Sequence, residues 1–131
     1  MSSEDIPQNV SQFIVDHINS VEQLETLLLL HAEPAREWTA EQIAKELRTS
    51  TDAARLRLTE LKRIPCVEEI SSAPPKYRFA TSNAALCPIV DAVARQYKDR
   101  RVSIISLIYT KPANELRAFS DAFRIKKKED T

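Results

Sequence analysis

Glycine is absent from this chain of 131 residues. At ordinary usage of about 7%, roughly nine would occur. Every motif that needs a residue without a Cβ is excluded with it: the Walker phosphate loop, the dinucleotide fingerprint, the nucleophile elbow and the EF-hand loop. Histidine is almost as scarce, with His17 and His31 alone, and there are two cysteines, Cys66 and Cys87. No HExxH or CxxC occurs, and no pair of these four residues has metal-ligand spacing, so no metal or cofactor is expected. The cysteines read as small reduced core residues. With so little general-base material and only scattered carboxylates, the chain is not expected to be an enzyme. Apolar runs are short, the longest being Leu27 to Leu30. That is far below a membrane span, so no membrane insertion is expected. The acidic, polar start MSSEDIPQNV is no signal peptide, and a cytoplasmic location is expected.

Excess charge of either sign is missing too: 19 Lys+Arg balance 19 Asp+Glu. A globally basic nucleic-acid binder is excluded, but a locally basic face is not. The balance is uneven along the chain. Residues 1–32 hold five acids and no Lys or Arg, whereas residues 81–131 hold ten basic and six acidic groups. These two regions can pair within one chain or between two.

What is present is helical punctuation. Val10, Phe13, Ile14, His17 and Ile18 repeat at helical spacing, predicting a helix over about 9–19. Ser20 to Gln23 fits a capping box opening a second helix that runs to about His31. Its four consecutive leucines cannot share one face, so this helix is central or touches a second subunit. Pro34 stops it. Thr39 to Gln42 forms another capping box, with Trp38 and Ile43 placed for a hydrophobic staple, and a short helix runs to about Arg48. Thr49, Ser50 and Thr51 make a turn whose hydroxyls can cap a helix over 51–63, with Ala54, Leu58 and Leu61 inward. Pro65 ends it.

Residues 66–70 and 76–80 carry β-branched and aromatic residues around Pro74-Pro75, predicting a hairpin with a loose tip. The lack of glycine disfavours a two-residue turn. Leu86, Ile89, Val90, Val93, Ala94 and Tyr97 then predict a helix. No stop signal lies between 89 and 110, so it is expected to continue to about Tyr109, although the Ile/Val content of 102–110 also suits a strand. Pro112 ends it, and Leu116, Phe119, Ala122 and Phe123 suggest a last short helix before a basic tail.

The fold class is therefore mostly α with a small β-hairpin. The segment EQIAKELRTSTDAARLRLTELKRIPCV, followed directly by the hairpin, resembles a winged helix-turn-helix of the bacterial transcriptional-regulator kind. The resemblance covers about residues 21–80. It implies that 51–63 is a recognition helix entering a major groove. Thr51, Arg55, Thr59 and Lys62 would then face duplex DNA, with Arg55 and Thr59 near base edges and Lys45, Arg48 and Lys62 docking electrostatically. In the wing, Lys76 and Arg78 alternate with Tyr77 and Phe79, so they point away from the core toward phosphate. The domain plan is a leader over 1–8, a winged-helix domain over 9–82, a helical extension for homodimerisation over 83–123 and a basic tail over 124–131.

The chain departs from the family pattern at several points. Pro65 stands where a glycine is usual, Glu68 and Glu69 lie on the first wing strand, Asp52 and Glu60 dilute the recognition helix, and Leu56 faces outward. These features favour an alternative reading, a winged-helix adaptor that binds another protein and not DNA.

Overall fold

The computed structural model describes residues 6–110. The last short helix, the basic tail and most of the leader lie outside these residues. The elements are α1 (Gln8–His17), α2 (Val21–Ala32), α3 (Ala40–Leu47), α4 (Thr51–Leu61), β1 (Val67–Ser72), β2 (Pro75–Phe79) and α5 (Cys87–Asp99). A further helix, α6, occupies 101–110.

The helix starts follow the local chemistry. Ser20 Oγ accepts the Gln23 amide at 3.0 Å. Gln23 reaches back one residue further than a standard capping box, accepting from the Asn19 amide at 2.5 Å. At Thr39 the box is complete, with Gln42 N donating to Thr39 Oγ1 and Thr39 N donating to Gln42 Oε1. Trp38 and Ile43, the staple pair, are both buried. Because α3 has only eight residues, few internal bonds hold it and its cap carries weight. Thr39→Ala is expected to lower unfolding free energy by about 1 kcal/mol. Urea denaturation reads this directly, and an unchanged midpoint would show that the cap contributes nothing.

Helix α2 is the central strut, packing on α3, α4, α5 and β2. Leu24, Leu27 and Leu30 are fully buried, and Leu28 and Leu29 lie partly buried against the same core. The four leucines thus serve several neighbours at once. Helix α4 packs on α2 and α3 through Ala54, Leu58 and Leu61, all buried. It ends at Leu61, ahead of Pro65, and Lys62 to Pro65 form turns into the wing.

The strands are antiparallel, pairing Val67 with Phe79 and Glu68 with Arg78, with an irregularity between Glu69 and Ser71. The expected loose tip is not observed. Ser72 pairs with Pro75, leaving a two-residue tip of Ala73 and Pro74 joined by a cis peptide. Ser71 Oγ donates to the Pro74 carbonyl at 3.0 Å and closes it. Glycine is dispensable there because side chain and proline shape the turn. Trp38 adds a third pairing: its amide donates to the Tyr77 carbonyl at 2.7 Å, and its carbonyl accepts from the Tyr77 amide at 2.8 Å.

The long C-terminal helix is also corrected. It begins at Cys87 and breaks at Arg100, which leaves the helical region at φ −134°, ψ 51°. Residues 101–110 resume as a helix and not a strand, burying Ile104 and Ile108. No glycine or proline causes the break. Tertiary contacts span it: Glu25 of α2 accepts from Tyr97 Oη at 2.7 Å before the break and from Arg101 Nη2 at 3.0 Å after it. The acidic N-terminal part and the basic C-terminal part do meet within one chain here.

Burial, then the hydrogen bond to Glu25, push the Tyr97 hydroxyl up to about 12. Burial likewise pushes the Cys66 thiol up to about 12. In the unfolded chain these groups ionise near about 10 and about 8.5. Both raised values add stability at lower pH that is lost as pH rises toward 12. Tyr97→Phe is expected to remove part of that alkaline loss, about 3 kcal/mol at most. Urea midpoints at neutral and strongly alkaline pH measure it. An identical drop in both proteins would assign the loss elsewhere.

Candidate nucleic-acid interface

The candidate surface comprises the exposed side of α4 and the wing joined to its end. Four contacts set its geometry. Glu22 of α2 accepts from Thr49 Oγ1 at 2.8 Å and from Arg57 Nε at 3.1 Å, fixing the α3–α4 turn and the flank of α4. Ser50 Oγ accepts the Ala53 amide at 3.0 Å and starts α4. Of the three turn hydroxyls, Ser50 makes the cap, while Thr49 bonds to Glu22 and Thr51 is already in the helix. Lys62 Nζ, at the end of α4, bonds Glu69 of β1 at 2.7 Å and ties helix to wing.

The expected site residues lie on α3, the α3–α4 turn, α4 and β2, and their cations fall into two electrostatic groups. Arg55 is held by Asp52 at 3.0 Å, with Glu41 at 4.0 Å. Lys62 is held by Glu69, whose hydrogen bond and charge raise the ammonium pKa. Arg78 is held by Glu68 at 2.8 Å, its partner across the strand pair. Among the described residues, Lys45, Arg48 and Lys76 have no ion-pair partner. Lys45 and Arg48 are exposed, and Lys76 is half-buried on the wing. Arg48 caps α3 in the left-handed region at φ 58°, ψ 47°, the one positive-φ residue among those described.

Thr51 is half-buried at the first turn of α4. Thr59 is exposed and donates its hydroxyl to the Arg55 carbonyl at 2.9 Å, which leaves its oxygen lone pairs as acceptors. Tyr77 and Phe79 are buried, so Lys76 and Arg78 do alternate outward. Leu56 is 49% exposed on the same helix. Arg57 was missed as an organising residue. It is bonded to Glu22 and to Glu60 at 2.9 Å and leaves the outward face for the flank. Its i,i+3 acid was visible in the sequence, but Glu22, thirty-five positions away, was not.

Among the described residues, no cluster of His, Cys, Asp or Glu is arranged to hold a metal ion, and no helix is long and apolar enough to cross a membrane. The cysteines are free, with Cys66 buried and Cys87 half-buried.

Short helix, turn, protruding helix and antiparallel hairpin, set on a helical frame, define the winged helix-turn-helix fold. Solved structures of that fold are similar to this chain. MepR, a transcription regulator of the Staphylococcus aureus multidrug efflux pump MepA, matches with a TM-score of 0.52 and 19% identity, over 96% of this chain and 93% of that one. A S. aureus MepR–DNA complex matches with a TM-score of 0.50 and 18% identity, over 95% of each chain. No family model and no curated protein sequence matches the chain.

Proposed function

We propose that this chain is a DNA-binding transcriptional regulator of winged-helix type, acting as a homodimer and not as an enzyme. The observation that carries the reading is the α4–wing face. It combines a protruding helix with buried anchors, a hairpin joined to its end, and the cations Lys45, Arg48 and Lys76, which have no ion-pair partner among the described residues. That arrangement suits a helix in the major groove with phosphate contacts on either side. The similarity to a regulator crystallised with DNA supports it.

Dimerisation is supported by the exposed side of α6. Val102 and Tyr109 of α6 are 77% and 71% exposed. Beside them lies an open cavity of about 300 Å³ lined by Ile6, Val102 and Leu107 among others. Covering this surface with a second copy would remove it from water and give the assembly two α4 helices. On this reading the C-terminal helices serve association and residues 9–82 serve DNA.

Fluorescence anisotropy with genomic duplexes of about 30 base pairs tests the proposal, since two half-sites one helical turn apart fit that length. Binding that weakens as salt rises is expected. Absence of binding at low salt to every promoter fragment tried, with capture of a protein through Leu56 instead, would favour the adaptor reading.

A further inference from the structure

Half of the cations assigned to the DNA face are already occupied. Arg55, Lys62 and Arg78 each hold a carboxylate of their own chain, from Asp52, Glu69 and Glu68, at 2.7 to 3.0 Å. These pairs are built into the secondary structure. Asp52 and Arg55 are one helical turn apart on α4, Glu68 and Arg78 are strand partners, and Glu69 lies where the end of α4 meets β1. The side chains of the three cations remain 40% to 52% exposed, so a phosphate can reach them. Over residues 40–79 eight cations face six acids, and so the face as a whole is barely positive.

We propose that Asp52, Glu68 and Glu69 are specificity-determining residues that compete with phosphate and suppress indiscriminate attachment to duplex DNA. The inference rests on the DNA-binding reading and deepens it. The physical basis is ion exchange. A free cation meeting phosphate releases a condensed counterion from the duplex, which drives binding at low salt. A cation taken from a carboxylate also releases that counterion, but the freed carboxylate attracts a cation in turn. The gain largely cancels. Lys45, Arg48 and Lys76 therefore supply the non-specific attraction, with a salt slope of about 2.7 per chain. Arg55, Lys62 and Arg78 engage only where base contacts or groove shape offset the loss of their partners. A random sequence supplies no such offset.

The experiment is anisotropy with a labelled random-sequence duplex over a salt series. It compares the full chain with Asp52→Asn/Glu68→Gln/Glu69→Gln. A second variant, Glu37→Gln/Glu46→Gln/Asp99→Asn, removes the same charge from exposed acids that hold no cation among the described residues. Freeing the cations is expected to tighten low-salt binding about tenfold or more and to steepen the slope by about 2 to 3 per chain. The second variant is expected to keep the original slope. Equal slopes in all three proteins, or equal steepening in both variants, would overturn the proposal and leave DNA binding standing. No binding by any of them at low salt would overturn both. Circular dichroism confirms folding, which exposed ion pairs hardly influence.

Discussion

Leu58→Ala is expected to lower the unfolding free energy by about 2–5 kcal/mol, the largest effect on stability foreseen here. Leu58 is fully buried at the middle of α4, with Ala54 and Leu61 beside it on the inward stripe. Truncation removes apolar contact with the α2 and α3 layer and leaves a cavity that the surrounding helices fill only in part. An eleven-residue helix has little stability of its own, so this packing is what keeps it helical. The loss therefore falls on the helix assigned to DNA. Urea denaturation measures the energy, and anisotropy at saturating protein separates lost folding from lost contact. A change below about 1 kcal/mol would show that α4 is not anchored through this side chain.

Removing the three site cations that have no ion-pair partner among the described residues is expected to have the largest effect on binding. Lys45→Gln/Arg48→Gln/Lys76→Gln should weaken duplex binding at low salt by tenfold or more and reduce the salt slope by about 3 per chain. None of the three has an ion-pair partner to lose among the described residues, so each is open to phosphate. Their separation matters as well. Lys45 is on α3, Arg48 at the turn and Lys76 on the wing, so on the DNA-binding reading they would meet the duplex backbone at separate points around α4. Retention of the full slope by this variant would mean that the phosphates are met by another surface.

Local signals were legible in the sequence because local chemistry produces them. The hydroxyl and amide of Thr39 and Gln42 close a box within four residues, and Ala54, Leu58 and Leu61 define a buried stripe within two turns. The alternation of Lys76, Tyr77, Arg78 and Phe79 gave the correct faces of β2 because a strand has period two. The break at Arg100 was not legible. It has no glycine or proline, and Glu25, which contacts both sides of it, is more than seventy residues away. The tight wing tip was hidden for the opposite reason: two prolines read as a barrier to pairing, while Ser71 and the Pro74 carbonyl close the turn. Glu68 and Glu69 were visible as acids on the wing. Their partners depended on strand register and on the meeting of two elements, and neither is written in spacing.

Arg48 bends the chain between α3 and α4 in a conformation that a side chain makes costly and that glycine adopts freely. The same side chain, on the DNA-binding reading, is one of three that attract the duplex. Backbone ease and electrostatic reach are thus in opposition at a single position. A lineage that relaxed this corner would gain a sturdier scaffold and lose grip, so thermal robustness and operator occupancy are not free to improve together there.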